Sequence, residues 1–439
     1  MTGSRGTHCA GHHLCAWLAA GFCLVATQGL AEPPREWITR ELPTWLEHYR
    51  WFHQHPELSL EEQETARYFA DRLEEQGFSV TRAIGGHGVV GLLTNGSGPT
   101  LMLRTELDGL PVTEKTDLAF ASNVTTQTID GRTTGVMHAC GHDLHMAAVL
   151  AAGAYLADHR DQWAGTLMVI GQPAEERVSG ARAMLNDGLF TRFPKPDFAI
   201  ALHCDSAVEA GQIHCRGGYV LANSDSVDIV MYGRGGHGST PHLTIDPIVQ
   251  AAQLVLDLQT IISREIDPQS PAVITVGAIQ GGTKHNIIGD SCRLQLTVRS
   301  YDDQVREQLF AAIRRKAQAV AASHRAPEPK VTMDDGVSAL QNDPQLAQRL
   351  QAVLIRTLGE ENVGAGKPQM GAEDFSEYGR AGVPVVMYRL GTVSAQRLAR
   401  YAQLGVPPPS LHAPDYFPDA EPSLQTAVTA LITSALDLL

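Results

Sequence analysis

At 439 residues, 43% of them hydrophobic and 19% charged, the chain suits two or three globular domains and is too apolar for extensive disorder. Its formal net charge of −14, with no block of Lys or Arg, excludes the electrostatic footprint of a nucleic-acid-binding protein.

In chain order, Arg5 precedes a mostly apolar run over 14–26, and Gly29-Leu30-Ala31 places small residues where a signal peptidase reads them. Residues 1–31 therefore read as a cleaved secretory signal, with a retained anchor as the competing reading. The run is short for a membrane span, and no later stretch qualifies as one. The expectation is a secreted or periplasmic protein with no stable membrane span after cleavage. Cys140, Cys204, Cys215 and Cys292 then remain. None makes a CxxC pair, and spacing leaves open whether any of the last three are bridged.

Residues 35–76 carry apolar positions at helical spacing and predict two helices. Short apolar runs at 100–104 (TLMLR), 166–171 (TLMVIG) and 198–202 (FAIAL) predict buried strands. Between them, 146–157 predicts a helix with an Ala-rich packing face. Strands alternating with helices indicate a layered α/β domain, here of three layers. From 227 the pattern changes: strand 227–232, helix 246–263, strands 272–279 and 292–299, helix 302–324 and strand 330–333. That β-α-β-β-α-β order is ferredoxin-like. It predicts a smaller α+β domain at 222–332, inserted between two parts of the α/β domain at 32–221 and 333–439.

Several motifs carry chemistry. MHACGHD supplies Cys140 and His142, GQPAEE supplies Glu175 and Glu176, ALHCD supplies His203, and SLHAPDY supplies His412. Each alone is a weak signal; together a thiolate, three imidazoles and a carboxylate exceed what one tetrahedral ion accepts and suggest two metals. Cys140 and His142, two apart, meet one site if the segment is extended. Glu175 and Glu176 point apart in extended geometry, so Glu176 is assigned to metal and Glu175 is left free as general base and acid. His412 lies beyond the insertion and the other ligands before it, so one site must draw on both flanks.

Within the insertion, GRGGHGSTPH sets His237 in a Gly-rich turn, suited to hydrogen-bonding a developing oxyanion. Asn286 in GGTKHNIIG and Arg299 in LQLTVRS are suited to hold a substrate carboxylate, Arg299 through paired hydrogen bonds. A surface charge at a strand end is the competing reading of Arg299. Asp143 is placed either to start the following helix or to brace the ligands. In GAEDFSEYG, Glu373 and Asp374 sit near the positive end of a short helix, which competes with a bracing role for Glu373.

In this order, MHACGHD, PAEE, ALH, GGHGSTPH, GTKHNIIGD, EDFSEY and SLHAPDY resemble the hippurate hydrolase and indole-acetyl-amino-acid hydrolase branch of the aminoacylase/carboxypeptidase G metallopeptidases. The resemblance spans residues 35–439. It implies a catalytic α/β domain bearing two divalent metals and a smaller lid or dimerisation domain, hence a homodimer. It implies Cys140, His142, Glu176, His203 and His412 as ligands and Glu175 as the catalytic carboxylate. His237 and Asn286 match positions that reach substrate, in some members across a dimer interface. Zinc or manganese is expected, with cobalt and nickel open.

Three positions depart from the family pattern. Gly289 stands where relatives usually carry Pro. Glu106 stands where many have Asp and wider relatives a metal-binding His, so it is not assigned as a ligand, while Asp108 is expected behind the ligands. Cys204-Asp205-Ser206 follows His203 where a Pro is common. The expected activity is metal-dependent hydrolysis of an N-acyl amino acid to a carboxylic acid and a free amino acid. The rivals are a dipeptidase or carboxypeptidase with the same site, and an exported protein that binds metal or amides without turnover. A free Glu175 argues against the last.

Overall fold

The structure, a computed structural model, describes Met1 and residues 34–127, 131–334 and 336–439. Apart from Met1, the segment read as a signal peptide lies outside the described residues. No described helix is long and apolar enough to cross a membrane.

An eight-stranded sheet organises the larger body, in the order Ser79–Ile84, Gly88–Asn95, Gly165–Gln172, Thr100–Glu106, Phe198–Glu209, Val385–Val393, Ile213–His214 and Val363–Gly364. The central strands, from Gly165–Gln172 to Val385–Val393, run parallel. Their near-continuous apolar sequences reflect burial on both faces. Alternation sorts them: Leu101, Leu103, Leu167, Val169, Ile200 and Leu202 enter one core, and Met102, Met168, Ile170, Ala199 and Ala201 the other. Helices Pro34–Gln54, His142–Asp158, Pro344–Leu358 and Ala420–Leu438 cover the first face. The shorter Gly180–Asn186 and Ser376–Arg380 cover the second. The result is three layers.

A separate antiparallel sheet follows the order Ala272–Gly281, Ser291–Ser300, Asp225–Tyr232, Lys330–Met333. Helices Pro247–Arg264 and Asp303–Ser323 close a core of its own. Asp246 and Asp302 cap these helices, each accepting from two backbone N–H groups. This is the ferredoxin-like arrangement that the β-α-β-β-α-β order implies.

Two local expectations are corrected. The strand read at 198–202 runs on to Glu209, because parallel pairing with Val385–Val393 continues past the apolar run. His203 therefore lies inside a strand. The helix read at 146–157 begins at His142. His142 and Asp143 are buried yet polar, so apolar periodicity does not reveal the first turn.

Candidate metal centre and active-site cleft

The ligand candidates gather at the carboxyl ends of the central parallel strands, where open α/β sheets place their chemistry. Gly141 enters the helix at φ 88°, and a Cβ there would lie 2.6 Å from Cys204 Sγ. Only glycine fits that approach. Cys140 and His142 thus meet through a turn rather than an extended segment, which corrects the geometry read from the sequence. The same holds for Glu175 and Glu176. Ala174 and Val178 adopt φ 49° and 53° around a tight turn, closed by Val178 N–H donating to the Glu175 carbonyl at 2.6 Å. Both carboxylates consequently face one imidazole: His142 Nε2 is 3.7 Å from Glu175 Oε2 and 4.0 Å from Glu176 Oε1.

Ligand atoms of Cys140, His142 and Glu176 lie within 4.8 Å of one another. His203 Nε2 is 3.9 Å from Cys140 Sγ, and His412 Nε2 is 3.3 Å from Glu176 Oε1. His412 arrives from the far flank of the insertion, held at φ 69° with its N–H donating to the Ala139 carbonyl at 2.9 Å. The five residues therefore converge on one place.

Both imidazoles, buried His142 and half-buried His203, are oriented from behind. His142 Nδ1 donates to the Asp108 carbonyl at 2.7 Å, and His203 Nδ1 to the Cys204 carbonyl at 2.8 Å. That turns both Nε2 atoms toward the centre, the orientation metal-bound histidines adopt. His142 Nε2 and Glu176 Oε1 are buried without a hydrogen-bond partner. Such unpartnered polar atoms, beside a thiol, fit divalent cations of the borderline kind, which would take the place of the His142 proton.

Electrostatics point the same way. Burial opposes a charged His142, yet its Asp108 hydrogen bond and the negative charge of Glu106, Asp108 and Glu176 push it up to about 10. Burial, then Glu373, Glu176 and Asp374, drive Glu175 well above the carboxylate range. Burial, then the neighbouring Glu176 and Glu175, hold the Cys140 thiol up. Concentrated negative potential of this kind is what a cation relieves.

The Asp108 carboxylate supports the centre by accepting from the backbone N–H of Glu175 at 3.2 Å and Glu176 at 3.0 Å, and from Ser59 Oγ at 2.6 Å. Glu373 and Asp374 come within 4.8 Å of Glu175. They precede the helix Ser376–Arg380 and are tied to a residue the sequence reading passed over. Arg104, fully buried, donates from Nη2 to Glu373 Oε1 at 2.7 Å and Asp374 Oδ1 at 3.0 Å. It also donates from Nε to Gln172 Oε1 at 3.0 Å and pairs with Glu106. Glu106 Oε2 in turn accepts from His145 Nδ1 at 2.9 Å. Its family-variable position is thus occupied by an internal ion network, and the signal that would have found it was a lone Arg inside a strand buried on both faces.

Asp143 braces the centre through a neighbouring element. Its Oδ1 accepts from Leu144 N–H at 2.9 Å, and its Oδ2 pairs with His53 Nδ1 at 2.7 Å. His53 Nε2 reaches Glu114 Oε1 at 3.0 Å. With carboxylates at both nitrogens, His53 is held doubly protonated: burial opposes this, but the two acids raise it to about 9. An unfolded histidine titrates near 6.5, so the contribution is complete below that pH and is lost as pH rises toward 9. Each unit is worth about 1.4 kcal/mol. Thermal unfolding of wild type against His53→Gln is expected to differ most near pH 6 and least above pH 9; a gap constant with pH contradicts the charged pair.

Arg299, at the end of strand Ser291–Ser300, lines the same cleft, a cavity of about 360 Å³ that also holds Cys140, Glu175, His203, Arg389 and His412. Its Nε donates to Thr297 Oγ1 at 3.2 Å, and burial lowers its affinity for the proton. His237 and Asn286 are not brought to the cleft. Both are exposed on a ribbon pairing Gly236–His237 with Ile287–Ile288, and His237 Nδ1 contacts Ser239 Oγ at 2.6 Å. Cys140, Cys204, Cys215 and Cys292 are buried and unpaired.

Residues 102–402 match the model of peptidase family M20/M25/M40. The chain is 36% identical over 325 residues to the hippurate hydrolase of Campylobacter jejuni, covering 74% of this chain and 82% of that one. It is 35% identical over 360 residues to thermostable carboxypeptidase 1 of Saccharolobus solfataricus, covering 80% and 87%. Among solved structures it resembles the Bacillus subtilis YXEP protein, a dinuclear metal-binding peptidase of the M20 family, with TM-score 0.74, 27% identity, and coverage of 92% and 100%.

Proposed function

This chain belongs to peptidase family M20/M25/M40, and on that premise we propose that it cleaves the amide bond of N-acyl amino acids, with Glu175 moving the proton. It is an amidohydrolase. The observation that carries the substrate and mechanism is a buried carboxylate, Glu175, next to the Cys140–His142–Glu176 cluster and facing a cleft that Arg299 closes from the inserted domain.

Cys140, His142, Glu176, His203 and His412 would hold two divalent ions, which supply Lewis acidity toward a carbonyl oxygen and a water of lowered pKa. Zinc suits the thiolate and imidazoles best, and manganese the carboxylate-rich surroundings. Glu175 accepts a proton from the attacking water as oxygen adds to the carbonyl carbon. It returns that proton to the amide nitrogen as the C–N bond breaks, giving a carboxylic acid and a free amine. Burial, with crowding by Glu373, Glu176 and Asp374, favours the protonated form of Glu175 that returns the proton, and the bound cations would supply the positive charge that ionises it beforehand. Arg299 holds the carboxylate of the amino-acid half. His237 and Asn286 would reach substrate from a second copy; exposed Leu243, Ile248, Ile279 and Ile287 beside them support a homodimer through the inserted domain. The apolar N-terminal run supports export to the periplasm or medium.

Free amino-acid release from N-acyl amino acids and dipeptides tests this reading. Chelator is expected to abolish release and added zinc or manganese to restore it. Activity confined to dipeptides and longer peptides would favour the carboxypeptidase or dipeptidase alternative. Stoichiometric capture of amide by folded, metal-loaded protein without turnover would favour a binding protein.

A further inference from the structure

Beside His203 the cleft adjoins a second cavity of about 180 Å³, and its wall is cationic. The two share Gln369 and Arg389. Sheet register creates the arrangement. Parallel pairing sets Arg389 next to His203, and antiparallel pairing sets the same Arg389 next to His214. Asp205, two residues beyond His203, faces the same side. A row of His203, Arg389 and His214 thus crosses one sheet face, from the metal ligands into the side cavity. Arg216 and Lys367 complete its wall.

The charges do not balance. Among the described residues Asp205 is the sole acid lining the cavity, against Arg389, Arg216 and Lys367. Arg389 Nη2 donates to Asp205 Oδ2 at 2.9 Å and Gln369 Oε1 at 2.7 Å, yet its Nε is buried without a partner. Arg389 is only 8% exposed. Arg216 Nε is likewise buried and unpartnered, and its Nη1 reaches only the Gly366 carbonyl, at 3.3 Å. Buried guanidinium N–H groups left open are costly unless an acceptor enters. His214 packs tightly into this wall: a Cβ at Gly364 would overlap its ring, and one at Gly366 would come within 2.9 Å of it. Cys204-Asp205-Ser206, the departure noted after His203, supplies the acid that holds Arg389 in place.

We propose that this cavity is an anion subsite of the amidohydrolase, and that its preferred amides carry a second carboxylate, on the acyl group or on the amino-acid side chain. Arg389, Arg216 and Lys367 receive that group while Arg299 takes the α-carboxylate. The inference rests on the amidohydrolase reading above.

The test compares acid with isosteric amide on the metal-loaded full chain: N-acetylglutamate against N-acetylglutamine, and N-succinylleucine against N-succinamoylleucine. The kcat/KM ratio of acid to amide is expected to exceed one in the arm that matches the cavity, by about ten- to a hundredfold for a charge-assisted contact. Arg389→Met and Arg216→Met should bring that ratio toward one. Asp205→Asn, which removes the competing charge, should raise it; damage to the fold lowers both rates together and leaves the ratio alone. Which arm responds identifies the acyl or the side-chain source. Ratios at or below one in both arms, or ratios unmoved in Arg216→Met and Asp205→Asn, overturn the subsite while the neutral amides still report an active hydrolase. If no substrate is turned over, the hydrolase reading has failed, and succinate protection against thermal unfolding decides the subsite separately. Protection that Arg216→Met removes upholds it; protection absent in the wild type, or retained in Arg216→Met, overturns it.

Discussion

Glu175→Gln is expected to lower kcat by about 10²- to 10⁴-fold, the range a positioned general base supplies, while metal content stays at the wild-type level. The side chain keeps its size, and none of the five ligand candidates is altered. Thermal stability distinguishes this from damage. Glu175 lies within 4.8 Å of Glu373 and Asp374, so an amide that cannot ionise avoids the cost of charging a buried, acid-crowded site. The variant is expected to unfold at the same temperature as the wild type or higher, the usual trade between an active site and stability. Single-turnover rates beside a melting curve and a metal assay make the check. Full turnover in a metal-loaded Glu175→Gln enzyme would remove Glu175 from the mechanism.

Arg104→Met is expected to abolish soluble folded protein. One fully buried guanidinium answers Glu106, Glu373 and Asp374, and its removal strands three carboxylates in the core. Breaking one buried pair from one side costs about 3–5 kcal/mol, against a total stability of about 5–15 kcal/mol for a typical domain. Burial, relieved in part by Arg104, already pushes Asp374 up to about 8. Acid relieves such a variant by protonating the stranded groups, so residual fold should be greater near pH 5 than near pH 8. Arg104→Lys offers a single point charge where the fork of Arg104 engages four side chains, and should fall between. Wild-type-like melting of Arg104→Met would show that the carboxylates are neutral in the native protein and that the ion network carries no weight.

The ligand set was legible in the sequence because its residue types are improbable together, and that logic does not need their geometry. The β-α-β-β-α-β order was legible because periodicity switches between two and 3.6 within short segments. Local geometry was not. Gly141, Ala174 and Val178 bend the ligand loops through left-handed backbone, where apolar patterning is silent. Nor was the support behind the site. Arg104 and Glu373 are 269 residues apart, and no local rule pairs them. TLMLR reads as a buried strand over 100–104, whereas the strand runs on to Glu106, so Arg104 is an internal member and needs acids from elsewhere. Strand Val385–Val393 is apolar enough to have been recognised, but the sequence reading singled out nothing there, and its Arg389 only acquires meaning beside His203.

That strand also sets a schedule. Val385–Val393 lies between Phe198–Glu209 and Ile213–His214 in the sheet, so an emerging polypeptide presents the edge of Phe198–Glu209 long before its partner exists. The intervening domain, with its own core, can close in the meantime. The larger body cannot. Until the last eighth or so of the chain is made, it carries an open apolar edge of the kind that templates intermolecular pairing. The vulnerable species in production of this protein is therefore the nearly finished chain, and holding synthesis slow or supplying a chaperone across that interval should recover more of it than any change to the mature enzyme.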